Sequence, residues 1–277
     1  MVKRHPLIAF FVLAYALSWW PWILHALGIS SAPIAGFGPF LAALLVLGLT
    51  EGRRGIGRLL RRMVRWRVGP GWYAAALLIP AAVAGLATIV NVALGAEAPT
   101  PGELRQWMGI LPTFAILLLV PGLGGAWEEP GWRGYAVPRM QTRWTALTSG
   151  LVLGVLVAGW HLPLVMTGQV HYADLFAILG ATIVINWLFN HVRGSVLLIM
   201  IMHAANNAIA GNFFSPMFAG ADSARQAWLL AAVWCAAAVA VVLIGGPRDF
   251  SRTRPRQVEP DPATAAADSN AMALRAA

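Results

Sequence analysis

The chain has 277 residues, 58% of them hydrophobic and 11% charged, with a formal net charge of +9. A water-soluble domain carries about 25% charged residues, so this composition excludes a globule that covers itself with a solvated surface. The basic excess is not a nucleic-acid footprint either, because the arginines lie between long apolar runs, where they orient a chain in a bilayer, and the single cysteine, Cys235, excludes an internal disulfide and a thiolate metal cluster.

A helix needs roughly 20 apolar residues to cross the hydrocarbon core. In chain order, eight runs qualify as predicted spans: Pro6–Gly28, Ile34–Thr50, Trp72–Leu94, Trp107–Trp127, Ala146–Met166, Tyr172–Asn190, Ser195–Ala210 and Ala227–Gly245. The first is longer than the 7–15-residue apolar core of a signal peptide, and reads as a retained helix. Between the second and third, Ile56, Leu59, Leu60 and Met63 recur at helical spacing among Arg53, Arg54, Arg58, Arg61, Arg62, Arg65 and Arg67. That stretch reads either as an amphipathic helix on an anionic membrane surface or as a plain topology signal. Of the 20 basic residues, all but Arg105 and Arg225 fall in segments on one side of this arrangement. The bias predicts an all-α, polytopic membrane helical bundle of eight transmembrane helices in the cell membrane, with both termini cytoplasmic. Residues 1–246 form this membrane domain, and 247–277 read as a polar, Pro- and Ala-rich disordered tail.

Ionisable residues inside membrane spans are costly and mark functional sites. In Glu128-Glu129-Pro130-Gly131-Trp132-Arg133, Glu129 and Arg133 lie one helical turn apart and can pair, which leaves Glu128 without that partner. A paired carboxylate is structural, whereas an unpaired one in apolar surroundings suits a general base. His161 lies deep in the fifth span, and His203 and Asn207 share a helix face in the seventh. Taken singly, each is equally well a polar contact between helices. Glu128 precedes the turn near Trp144 by 16 residues and His161 follows it by 17, so an antiparallel pair places them at one depth. Trp107 to Arg143 is too long for one straight crossing, so the helix breaks at Pro121–Gly125 or Pro130–Gly131, or projects beyond the lipid.

At these residues the chain resembles the CPBP family of intramembrane proteases, which includes the Rce1-type CAAX prenyl endopeptidases and the bacterial Abi proteins. The family's EExxxR is matched by Glu128, Glu129 and Arg133, and its HxxxN by His203 and Asn207. In FxxxH, His161 matches and Val157 stands in place of the Phe. The matching residues run from Glu128 to Asn207 (128–207). The resemblance implies an Rce1-like eight-helix bundle with its site in a cavity open to the cytoplasm. It implies Glu128 with His161 as activators of water, His203 and Asn207 as oxyanion donors, and Glu129 and Arg133 as supports. It implies an endopeptidase acting on a membrane-proximal peptide or membrane protein, with no organic cofactor and no nucleic-acid partner. Glu128, His161 and His203 also form a two-histidine, one-carboxylate donor set of the catalytic zinc type, although HExxH is missing. The competing expectations are a transporter or channel with a Glu/His proton relay, and a non-catalytic membrane scaffold of the bacteriocin-immunity type.

Overall fold

The computed structural model describes residues 2–29 and 36–251. These residues are helical, with no strand among them. The helices are α1 (Pro6–Ala26), α2 (Gly38–Thr50), α3 (Gly52–Met63), α4 (Pro70–Ala93), α5 (Pro101–Leu104) and α6 (Ile110–Leu119). Two short helices, α7 (Glu129–Gly131) and α8 (Val137–Met140), flank a π-helical turn over Trp132–Ala136. Then follow α9 (Ala146–Trp160), α10 (Leu162–Met166), α11 (Asp174–His191), α12 (Val196–Asn206), a π-helical stretch over Asn207–Phe214, and α13 (Gly220–Gly245).

Among the described residues, five helical stretches are long and apolar enough to cross a membrane: Pro6–His25, Pro70–Ala93, Asp174–His191, Val196–Met217 and Gly220–Gly245. They coincide with the first, third, sixth, seventh and eighth predicted spans. The other three differ. The described part of the second is a 13-residue helix beginning at Gly38. The fourth is not one helix: α6 ends at Leu119, Val120 turns to an extended conformation, and Gly122 takes φ 90°, which only a residue without Cβ adopts cheaply. The break therefore falls at the Pro121–Gly124 turn, and Pro130 passes inside a continuing helix, where its missing N–H is tolerated near the start of α7. The fifth breaks at His161, which ends α9 and precedes Pro163 in α10.

The bundle is held by close approaches of small residues and by side chains that reach across to backbone carbonyls. α11 packs on α13 and α9, and α4 on α12 and α13. A Cβ on Gly180 would stand 2.7 Å from the α13 backbone at Trp234 and Cys235, so the crossing of α11 and α13 requires glycine. α1 is fastened along its length. The Tyr15 hydroxyl donates to the Leu156 carbonyl at 2.5 Å, the Trp19 indole to the Trp160 carbonyl at 3.0 Å, and the Trp160 indole returns a bond to the Ala14 carbonyl at 3.3 Å. These bonds satisfy polar atoms that lipid would not.

The arginine-rich segment forms α3, with Leu59 buried and Arg53, Arg54 and Arg61 exposed. It is tied to the segment carrying the two glutamates: Arg62 donates to the Gly134 carbonyl at 3.1 Å, and Glu51 at the head of α3 pairs with both Arg58 and Arg139. Residues 247–251, which the sequence assigns to the start of the tail, pack against the bundle. Phe250 is fully buried, and the carbonyls of Pro247 and Arg248 accept the first N–H groups of α9, from Leu147 at 3.0 Å and Ala146 at 2.8 Å. Those donors would otherwise lack partners at the helix start, which is why the polar stretch docks there. The remainder of the predicted tail lies outside the described residues.

Gly180→Ala is expected to destabilise the bundle by roughly 1–3 kcal/mol, the usual cost of overpacking, read as a lower thermal unfolding midpoint in detergent. Ala substitution at Gly71, whose Cβ would meet nothing within 4 Å, is the matched control and is expected to unfold as the wild type does.

Candidate active site

The Pro121–Gly124 turn redirects the chain so that the Glu128–Arg133 segment descends through the interior instead of lining lipid. Glu128 and Glu129 are 5% and 0% exposed and Arg133 is 2% exposed. Glu129 is bound on both sides. Arg133 Nη1 donates to both its carboxylate oxygens at 3.0 Å, and His203 Nδ1 lies 2.6 Å from Oε1. Arg133 Nε donates in turn to Asn186 Oδ1 of α11 at 3.2 Å. One carboxylate thus joins the motif segment to α12, and its arginine joins both to α11.

Glu128 takes no part in that network. Its Oε2 accepts one long bond, 3.3 Å, from the Trp132 indole N–H, and the residue lines the cavity. The adjacent glutamates therefore divide as the i,i+4 argument requires: Glu129 and Arg133 pair, and Glu128 stays weakly bound.

The two histidines are each held by one ring nitrogen. His161 Nδ1 is 2.8 Å from the Val157 carbonyl one turn earlier, in the open last turn of α9. The bond uses backbone, so valine at 157 preserves it, and the Val157 side chain is buried. His203 Nδ1 is taken by Glu129, and its Nε2 lies against Gly125, where a Cβ would overlap the ring. Fixing Nδ1 sets the tautomer and leaves Nε2 as the working nitrogen in each ring. Asn207 opens the π-helical stretch, and its Oδ1 accepts from Asn206 Nδ2 at 3.3 Å, which leaves the Asn207 amide nitrogen as a donor.

Glu128, Arg133, His161, His203 and Asn207 all line one cavity of about 640 Å³, enough for several residues of an extended peptide. Glu129 sits behind them in full burial, as a support rather than a lining group. Three contributors were not singled out in the sequence. Asn186 orients Arg133, Gly125 makes room for the His203 ring, and Trp132 holds Glu128. Asn186 carried a legible signal, a polar amide inside an apolar span; Gly125 and Trp132 carried none that separated them from packing residues.

The donor set of Glu128, His161 and His203 has the chemistry of a catalytic zinc site. Among the described residues, however, no group of three His, Cys, Asp or Glu side chains is gathered so as to hold a metal ion.

The cavity's lining comes largely from the ends of the helices that lead to the turns at 120–124, 167–173 and 211–219.

Arg133→Ala leaves Glu129 fully buried with only His203 as a partner. Breaking a buried pair in this way costs about 3–5 kcal/mol, measurable as a fall in the unfolding midpoint. Arg133→Lys keeps one contact to Glu129 but loses the bond to Asn186, so an intermediate loss is expected.

Residues 106–209 match the family model described as type II CAAX prenyl endopeptidase, Rce1-like. Among curated proteins, a CAAX prenyl protease 2 of Methanococcus maripaludis is 26% identical over 142 residues, covering 46% of this chain and 51% of the relative. The chain thus spans about half the length of the curated relative it matches. Glu128, Glu129, Arg133, His161, His203 and Asn207 all fall inside the matched stretch, and that stretch is similar to the Rce1-like CAAX prenyl endopeptidases.

Proposed function

We propose that this protein is an intramembrane endopeptidase that hydrolyses a peptide bond in a segment entering the 640 Å³ cavity. The observation that supports this most is the division of labour between neighbouring glutamates. Glu129 is consumed by Arg133 and His203, while Glu128 faces the cavity with one weak bond. A carboxylate held in place yet poorly satisfied is suited to take a proton from water.

Glu128 is the general base. His161, whose Nδ1 is anchored on the Val157 carbonyl, offers Nε2 to orient the same water. Glu129 and Arg133 neutralise each other. Glu128 and His203 both line the cavity, and together they are neutral when the histidine carries a proton. In that state His203 Nε2–H and the Asn207 amide donate to the oxyanion that forms when water adds to the carbonyl carbon. Glu128, now protonated, returns the proton to the leaving amine. The carbonyl re-forms, the C–N bond breaks, and an acid and an amine result. The substrate is a peptide or a membrane-protein segment, and the CAAX activity named for the archaeal relative is one member of that class.

Glu128→Gln is expected to reduce cleavage by about 10²–10⁴, the range for a positioned acid–base group, with folding and peptide binding retained. Unchanged turnover in this variant would remove Glu128 as the base. Asn207→Ala is expected to lower kcat by about 10²–10³, as for loss of one oxyanion donor, with little change in KM. A chelator separates two routes to the nucleophile. With the carboxylate as base, cleavage persists in chelator; a loss restored by zinc would instead assign Glu128, His161 and His203 as ligands.

A further inference from the structure

Residues 52–69, between α2 and the membrane-length helix α4, hold seven arginines and no carboxylate. Two unlike faces divide this stretch. Arg53, Arg54, Leu60, Arg61 and Val64 fall within one stripe at helical spacing, and all five are exposed. Trp66 follows, also exposed, with the Arg67 guanidinium 5.2 Å from the centre of its ring. Arginines and apolar groups thus share one surface, a few residues from a helix long enough to cross the membrane. Like charges one helical turn apart repel, and Arg54 with Arg58, Arg58 with Arg62, and Arg61 with Arg65 all stand at that spacing.

The opposite face holds the elements that carry the site. Leu59 is buried, and a Cβ on Gly134 would stand 2.5 Å from its Cδ1, so it packs on the backbone of the glutamate segment. Arg62 Nη1 donates to the Gly134 carbonyl at 3.1 Å, and Glu51, just before α3, pairs with Arg139. Past the end of α3, Ser195 Oγ donates to the Arg65 carbonyl at 2.6 Å and accepts from the Leu198 N–H at 3.3 Å. Ser195 caps α12, the helix that carries His203. Arg65 Nη1 also donates to the Arg193 carbonyl at 2.5 Å, and Arg193 is exposed. One basic segment therefore touches both elements that meet at the Glu129–His203 bond.

We propose that the exposed face of α3 is a docking surface for the phosphate groups of anionic lipids, and that lipid bound there raises cleavage by holding the glutamate segment and α12 in register. Charge complementarity names the phosphate, and exposed Leu60, Val64 and Trp66 among the arginines name its source as a lipid, since they need an acyl boundary that free phosphate lacks. Phosphates between the arginines relieve their mutual repulsion, so the helix tightens. Its contacts to Gly134, Arg139 and Ser195 tighten with it. The lipid contact stands by itself; its effect on cleavage rests on the peptidase reading above.

The first test needs no activity. Phosphatidylglycerol is added to the full-length protein in dodecyl maltoside, and the thermal unfolding midpoint is expected to rise by about 2–4 °C; phosphatidylcholine is expected to leave it unchanged. The triple variant Arg53→Gln/Arg54→Gln/Arg61→Gln removes charges that point away from the contacts to Gly134, Arg139 and Ser195, so it keeps the fold and is expected to lose the rise. Equal shifts with both lipids, or a full rise in the triple variant, overturn the surface. The same rise with inorganic phosphate makes it a free-anion site, and a rise with a polyglutamate peptide but not with phosphatidylglycerol gives it to an acidic protein; either overturns the lipid assignment. The second test compares cleavage of synthetic membrane-proximal peptides in vesicles of phosphatidylcholine alone and mixed in equal parts with phosphatidylglycerol. Wild type is expected to cleave at least about fivefold faster in the mixture, the lower end of an allosteric coupling. The triple variant is expected to cleave in both at the wild-type rate in phosphatidylcholine. Arg62→Gln, which loses the bond to Gly134, is expected to keep the midpoint rise and lose the stimulation. Equal wild-type rates in the two vesicles overturn the coupling. Cleavage in neither, with the midpoint rise intact, defeats the peptidase reading and keeps the lipid surface, so the two fail separately.

Discussion

The carboxylate of Glu129 is the point on which the site depends. It is fully buried, and two separate groups satisfy it: Arg133 from its own segment and His203 from α12. A buried charge without partners would cost several kcal/mol, so Glu129 forces three elements into one register. α12 must bring His203 within a hydrogen bond, Gly125 must leave room for its ring, and α11 must place Asn186 against Arg133. The same constraint frees Glu128, because Arg133 is already engaged.

The backbone irregularities serve this arrangement. An unbroken helix from Trp107 to Arg143 would leave Glu128 and Glu129 on a rod crossing lipid. The turn at Pro121–Gly124 lets the chain re-enter the interior, where the carboxylates meet histidines instead of hydrocarbon. α9 ends at His161 and α12 passes into a π-helical stretch at Asn207. Non-helical backbone at membrane depth is tolerated where it lines a cavity, and the breaks at 120–124, 161 and 207 all border this one. Function and departure from regular helix therefore coincide in space.

The arginine helix and the site are mechanically continuous. Arg62 holds the Gly134 carbonyl, and Glu51 holds Arg139, so α3 is bound to the segment that carries the two glutamates. The charge that sets orientation in the membrane and the carboxylates that would do the chemistry are thus parts of one rigid unit.

The sequence by itself determined the apolar spans, because lipid demands long runs of hydrocarbon, and it determined the Glu129–Arg133 pair, because helical periodicity makes i and i+4 neighbours. It also marked Glu128, His161, His203 and Asn207, since ionisable and amide groups are rare where water is absent. Only the tertiary structure decided that His203 completes the ring around Glu129, that Asn186 and Gly125 belong to the site, and that residues 247–251 dock on α9 instead of starting a tail. These are contacts between residues tens of positions apart, and no local period encodes them.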